Sequence, residues 1–389
     1  MKQIKRLNET NYTDIFALSQ FAFQYELSEA ELLKKRAEAA RHKIWGWMVD
    51  DQIAAKLHLI PLSIYLNGRQ FEMGGISSVA TWPEYRRQGM VKHLLKHALN
   101  DMKEQGQTIS LLHPFSVPFY RQYGWELTFM NQYYTIPMEK LKKDWKGEGF
   151  IKRIKPDVTL LDEIYIDYAK GFTGMIVRDE KWWEQRVLKD KCHIAVAFNK
   201  EQQPEGYMLY EVKENIFRVK EMAHRNLNGR KLLLQFIANH DSMAKEARMT
   251  VPENDNLPLL VDDPVFAQKK EPYFMARIVD VGRFLENYLF ELESDVLLEP
   301  LQLYVEDEFF PINNGTYKLE KVAGDIKVLY MKEQENGIRC SVQQLTVMLL
   351  GYKRPMDLFQ VGLIRGEKQE VELLEKLIPK QQTFLSDFY

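Results

Sequence analysis

The sequence predicts an α+β protein of three consecutive units, residues 1–145, 146–284 and 285–389, the second repeating the layout of the first. Three observations predict it. The 389 residues exceed the roughly 100–200 of one domain. An order of helices, strand meander and amphipathic helix occurs twice, on either side of a charged, glycine-containing stretch from Lys140 to Gly149. After Asp280-Val281-Gly282-Arg283-Phe284-Leu285 the pattern changes to strands followed by helices, an α+β arrangement.

Each element follows from local pattern. Apolar residues at helical spacing mark helices over 12–24 and 29–41, the second opened by Ser28 ahead of Glu29 and Glu31. Strands over 44–49 and 53–66 lead to an Asn67-Gly68 hairpin turn and a third strand over 71–81. From 87 to 103, Met90, Val91, Leu94, Leu95, Ala98, Leu99 and Met102 share one helical face. Strands at 108–112 and about 127–136 close the first unit. In the second, helices over 158–170 and 179–188 precede strands 193–198, 205–212 and 216–223, a helix over 229–244 and a strand over 248–251. The third carries strands 301–305 and 326–330, a helix starting near 341 and another over 368–378.

Composition narrows the class. With 45% hydrophobic and 28% charged residues the chain is neither disordered nor fibrous, and a net charge of −2 gives no general attraction to nucleic acid or anionic membrane. No segment approaches the ~20 apolar residues of a membrane span. The start of the chain turns polar where a secretory signal would turn apolar, and only Cys192 and Cys340 are present, far apart. These features predict a cytoplasmic protein whose partner is a small molecule or a peptide, with no nucleic acid, membrane or metal. His93 and His97 share a helix face but lack the glutamate of a zinc-protease pattern. Trp182 and Trp183 cannot share a helix face, so one is expected in the core and the other at a cleft or interface.

Chemistry concentrates in the first unit. Val79-Ala80-Thr81 ends a strand, Arg86-Arg87-Gln88-Gly89 turns, and Met90-Val91-Lys92 begins a helix. A helix start offers unpaired N–H groups and a positive dipole end, so a pyrophosphate fits there; Gly89 permits close backbone approach, and Arg87 and Lys92 add charge. Downstream, Phe119-Tyr120-Arg121-Gln122-Tyr123-Gly124-Trp125 is an aromatic segment that can supply a proton donor. The second unit has Asn226-Leu227-Asn228-Gly229-Arg230-Lys231 at the corresponding place, without paired arginines or the same glycine spacing. One site per chain is expected.

The ordered set of strand, Arg-Arg-x-Gly, amphipathic helix, strand and Tyr-x-x-x-Gly-Trp resembles the GNAT acetyltransferase superfamily. With a second unit lacking the motif and a third α+β unit, the whole chain resembles the enhanced intracellular survival (Eis) family of N-acetyltransferases. The resemblance implies two tandem GNAT-like domains, the second degenerate, and a sterol-carrier-protein-like third domain. It implies acetyl-CoA as co-substrate, a primary amine as acceptor (an aminoglycoside, polyamine or lysine-like group), and a homo-oligomer, trimeric or hexameric. Carried onto this sequence, the coenzyme contacts are Val79, Ala80, Thr81, Arg87, Gln88, Gly89, Met90, Val91, Lys92, Phe115 and Ser116. The general acid is Tyr120, with Tyr123 as the second choice, and the base is the chain's terminal carboxylate, on Tyr389, which enters the active site. With an ordinary pKa of about 3.3–3.7 it is a weak base for an ammonium unless burial raises it, so binding and orienting the amine is expected to be its larger contribution. Phe384, Leu385, Phe388 and Tyr389 would be costly to leave exposed together, which favours a docked terminus. Phe23, Tyr25, His113 and Phe388 are the candidates to line the substrate site; for Phe23 and Tyr25 core packing is the favoured role, and for His113 a packed or backbone-bonded role stands equal to it. A binding protein that keeps a coenzyme or lipid-like pocket without turnover is the alternative.

Overall fold

The structure is a computed structural model and describes residues 3–189, 191–292, 299–332 and 337–389. Within them lie two seven-stranded sheets, a four-stranded sheet and a two-stranded ribbon. The first sheet runs, in spatial order, Gln3–Leu7, Lys43–Val49, Gln52–Leu66, Arg69–Thr81, Ile109–Leu112, Met275–Ile278 and Glu126–Leu127. The second runs Ala267–Pro272, Met130–Pro137, Glu246–Val251, Ile216–His224, Pro204–Lys213, His193–Phe198 and Phe150–Ile154.

The two sheets exchange strands. Met130–Pro137, expected to close the first unit, lies in the second sheet, where Tyr134 faces Met249. In return Met275–Ile278 enters the first sheet, with Met275 opposite Leu112 and Arg277 opposite Ser110. Alternating burial along Met130–Pro137 identifies a half-buried strand but carries no information about which sheet it joins, so local pattern misassigned it.

The helix after the first meander spans Met90–Glu104, three residues later than its periodicity suggests. Arg87 at φ +60° and Gly89 at φ +76° are left-handed and cannot continue a right-handed helix backward. Its buried face, Met90, Leu94, Leu95, Ala98, Leu99 and Met102, packs with Leu57, Leu59, Ile76 and Leu112 of the first sheet.

The third unit has strands Asp325–Met331, Gly315–Val322, Leu301–Glu306 and Ile338–Ser341, in that spatial order. Helices Val342–Leu349 and Lys368–Leu377 follow. It shares a core with the first sheet, in which Ile60, Leu62 and Met73 meet Phe284, Leu303, Leu345 and Leu374. Arg277, fully buried on the exchanged strand, donates to the Tyr123 carbonyl and pairs with Asp307 of the third unit. One side chain thus couples the segment after Tyr120 to two other parts of the chain. The C-terminal residues Gln382–Thr383 pair in parallel with Phe172–Thr173. Phe384 then packs in the second unit's core, and Leu385 and Tyr389 in the core shared by the first and third.

Candidate active site

Strand Arg69–Thr81 pairs in parallel with Ile109–Leu112 only from Met73 to Ile76, and beyond that point the two diverge. A register shift helps them part: Lys56 faces Ala80 while His58 faces Ser77, and Ser78 sits at φ +51°. Such a bulge re-aims the strand. The divergence opens a cleft of about 640 Å³ lined by Val79, Ala80, Thr81, Arg87, Gln88, Gly89, Met90, Val91, Lys92, Phe115 and Tyr123, among others. Along its wall the first hydrogen bond of helix Met90–Glu104 runs from His93 N to Gly89 O at 3.2 Å. The N–H groups of Met90, Val91 and Lys92 therefore have no intrahelical acceptor. A Cβ on Gly89 would meet no atom within 4 Å, so the glycine contributes its positive φ and an open approach. The residues present fit a pyrophosphate.

A second cavity of about 510 Å³ meets the first at Phe23, Val79 and Phe115, which line both. Tyr120, Tyr389, Phe388, His113 and Tyr25 also line it. Tyr120 is buried on the helix Val117–Arg121, its ring against Phe115, Phe119 and Trp125 at 5.5, 5.1 and 6.5 Å. Burial, with a smaller contribution from Tyr123, pushes its pKa up, so the phenol keeps its proton. Tyr123 packs on Phe119 and Phe309 and faces the other cleft. Ser116 lines neither cavity; its hydroxyl caps the Tyr120 helix, accepting from Phe119 N at 3.4 Å. Phe23 and Tyr25 are 48% and 37% exposed, which makes them pocket walls rather than core. His113 meets Tyr273, Phe274 and Phe388 edge-on, and burial lowers its pKa.

The terminus is docked. Tyr389 is 6% exposed, its hydroxyl donates to the Leu111 carbonyl at 3.2 Å, and its ring lies against Gly75, Phe274 and Trp182. Two residues earlier, buried Asp387 accepts from Trp182 Nε1 at 2.8 Å and from Arg178 Nε at 3.1 Å. Arg178 also forks onto Glu221 at 2.9 and 2.5 Å, and its guanidinium sits over the Tyr165 and Trp183 rings at 3.9 and 4.6 Å. Burial works against the Arg178 charge, but the two carboxylates outweigh it and raise its pKa. Burial raises the pKa of Asp387; for Glu221 burial acts the same way, but Arg178 overcomes it and the pKa falls.

Sequence reasoning missed Arg178, Glu221 and Asp387. The available signal was Asp387 itself, an acidic residue inside an apolar terminal run that can be buried only with a partner. Trp182 and Trp183 are both buried, on opposite sides, their indole N–H groups donating to Asp387 and Asp162. His93 and His97 pack on Trp47 and Trp45.

Comparison with known proteins gives a matching architecture. Residues 3–128 and 174–278 each match an acetyltransferase (GNAT) domain, and residues 281–386 match a sterol carrier protein domain. An uncharacterized N-acetyltransferase of Streptomyces griseus is 24% identical over 330 residues, 76% of each chain. The N-acetyltransferase Eis of Mycobacterium tuberculosis is 23% identical over 229 residues, 54% of this chain and 56% of that protein. Among solved structures, a probable N-acyltransferase from Enterococcus faecalis V583 superposes with a TM-score of 0.93 at 26% identity, covering all of both chains. Eis1 from Mycobacterium abscessus shares the fold at a TM-score of 0.83 and 18% identity, again over both full chains. Among the described residues no helix is long and apolar enough to cross a membrane.

Proposed function

We propose that this chain, a GNAT-type N-acetyltransferase of the Eis family, moves the acetyl group of acetyl-CoA onto a primary amine by direct attack, at one site in its first unit. The observation that carries the reading is the junction of the two cavities at Phe23, Val79 and Phe115. The pyrophosphate sits on the N–H groups of Met90, Val91 and Lys92, and the pantetheine arm follows Val79–Thr81 in the manner of an added strand. That places the thioester at the junction, with the acceptor arriving from the side of Tyr389, Phe388, His113 and Tyr25.

The acceptor ammonium gives up one proton and attacks the thioester carbonyl as the free amine; collapse of the tetrahedral adduct expels the thiolate, which takes the Tyr120 proton, and the proton shed by the new amide nitrogen restores the phenol. The α-carboxylate of Tyr389 orients the ammonium form of the acceptor. Neither Cys192 nor Cys340 lines either cavity, so an acetyl-cysteine route has no nucleophile among the lining residues. The acceptor class is an aminoglycoside, a polyamine or a lysine-like amine. A chain with only two cysteines, far apart in sequence, fits a reducing cytoplasm. Assembly as a homo-trimer or hexamer belongs to the same proposal, and light scattering tests it.

The decisive experiment titrates acetyl-CoA with a panel of amines and follows thiol release. Release with at least one amine class, abolished by deleting Tyr389 while acetyl-CoA still binds, is the expected result. Coenzyme binding without thiol release for every amine would make the chain a binding protein instead.

A further inference from the structure

In the wall of the acceptor cavity lies a set of bases, half-buried His42 and buried His58 and Lys56, to which the reaction above gives no role. Lys56 is 0% exposed, and among the described residues no carboxylate contacts it. Its Nζ lies 2.7 Å from Ser78 Oγ, 2.9 Å from the Ser78 carbonyl and 3.4 Å from His58 Nε2. His58 Nδ1 is 3.1 Å from His42 Nδ1, and both histidines line the acceptor cavity, as does Ser78.

The proton positions along this chain follow from counting donors. Ser19 Oγ donates to the Ile15 carbonyl at 3.0 Å and lies 3.3 Å from Ser78 Oγ. Ser78 therefore donates to Ser19 and accepts from Lys56. A neutral Lys56 amine has two N–H groups, one for each Ser78 oxygen, and a lone pair left for His58 Nε2–H. His58 Nδ1 is then bare and accepts from His42 Nδ1–H, which leaves His42 Nε2 as a free base. A charged Lys56 donates its third N–H to His58 Nε2, and every tautomer along the chain reverses. The geometry is compatible with both states and with no mixture of them.

The surroundings decide where a charge can rest. Helix Glu29–Ala39 presents Lys35 and Glu38, paired at 2.9 Å; Arg186 joins Glu38 at 2.9 Å; Arg41 pairs with Asp179. One carboxylate thus serves two cations beside the imidazoles. Burial first, then the charges of Arg186, Arg41, Lys35 and Lys56, brings the His42 pKa down to about 3, and burial with Lys56 holds His58 well below its usual value. Burial alone brings Lys56 to about 7. A proton can pass through the histidines but settles on the lysine.

Resting on the acetyl-transfer reading, we propose that His42, His58 and Lys56 form a proton relay that removes the proton lost by the acceptor amine. Acetylation of an ammonium by a thioester yields an amide, a thiol and one net proton. That proton binds His42 Nε2, His42 Nδ1–H passes to His58 Nδ1, His58 Nε2–H passes to the Lys56 amine, and Lys56 ends as an ammonium. The path runs backward to water in the cavity once product leaves. His42 is the residue that meets the acceptor; His58 and Lys56 act through it.

Two measurements test this. In wild type, kcat/KM for the acceptor should fall below pH about 7 as Lys56 takes its proton. Lys56→Met should lose that limb, lower kcat about tenfold or more, and leave the KM for acetyl-CoA unchanged. His42→Gln, at the cavity end, should cost a similar factor, and the double variant should be no worse than the poorer single one. Additive losses, or an acid limb kept in Lys56→Met, would overturn the relay. Nitrogen-15 NMR of the wild-type histidines needs neither turnover nor variants. Near pH about 9 the expected tautomers are His42 Nδ1–H and His58 Nε2–H, both reversing through pH about 7 with neither ring becoming imidazolium. Other tautomers, or no reversal, would sink the proposal even if the variants did not fold. If no amine releases thiol while the reversal is seen, the transfer reading fails and the buried switch stands.

Discussion

The two GNAT units place a helix after corresponding strands, and the starts of those helices differ. In the first unit, Gly89 leads into Met90–Glu104 with no side-chain cap and open space around it. In the second, Asn226 caps Leu227–Ala238 by accepting from Gly229 N at 2.9 Å, and a Cβ on Gly229 would lie 2.3 Å from the Glu205 carbonyl oxygen. Asn228 bonds both Glu148 and Glu205 across the same place. The strand divergence differs in the same way. Parallel pairing of Ile216–His224 with Glu246–Val251 stops at Arg218, as the first unit's stops at Ile76, but the gap beyond is taken by Phe384, Leu385 and Ser386, leaving about 200 Å³. The second cleft therefore holds a peptide of its own chain where the first is open to a ligand. On the reading proposed above, the unit without a coenzyme site serves as the mount for the terminus.

The sharpest way to break this contrast is to remove the cation at the mount. Arg178→Met leaves Asp387 and Glu221 buried with no positive partner, and stranding buried charges in this way costs about 3–5 kcal/mol. The urea midpoint should fall accordingly, and turnover should fall with it because Tyr389 is no longer held. An unchanged midpoint would mean that Gln382–Thr383 and the aromatic packing hold the tail without the ion cluster.

Next in size is the change that separates the units chemically. Tyr120→Phe should lower kcat about 10²-fold, the range for loss of a positioned general acid, while acetyl-CoA binding and the thermal midpoint stay close to wild type. Burial raises the Tyr120 pKa, so deprotonation of this residue should produce no alkaline fall in activity below pH about 10. If Tyr123→Phe gave the larger loss, the acid would sit on the coenzyme side of the junction.

How much of this was legible in the sequence follows from the range of the forces involved. The helix face from Met90 to Met102, the Asn67-Gly68 hairpin and the Arg87–Lys92 turn are local, and periodicity or turn chemistry specifies them. So is the contrast between the Gly89 and Asn226 segments, visible as two different tetrads. The exchange of Met130–Pro137 for Met275–Ile278 is not local, since a strand's alternation is the same in either sheet. The same holds for Arg178, Glu221 and Asp387, which are scattered over the last two units and become a cluster only after folding. His42, His58 and Lys56 were hidden for a related reason: they look like ordinary polar residues, His42 just before a strand and Lys56 and His58 within one, until the bulge at Ser78 turns its oxygens toward Lys56.

The smallest test compares the two glycines directly. Gly89→Ala places a methyl group in open space, so its only cost is backbone strain at φ +76°, about 1–2 kcal/mol for an L-residue in the left-handed region. If the proposed coenzyme site is right, that strain re-aims the N–H groups of Met90, Val91 and Lys92, and the KM for acetyl-CoA should rise about 5–30-fold on the same energy scale. Gly229→Ala reverses the terms. Alanine suits a helix better by about 1 kcal/mol, but a methyl group 2.3 Å from the Glu205 carbonyl forces a shift costing about 1–3 kcal/mol. The thermal midpoint should drop by a few degrees and the KM for acetyl-CoA should not move. A coenzyme effect from Gly229→Ala would place part of the acetyl-CoA site in the second unit and end the division of labour between the two.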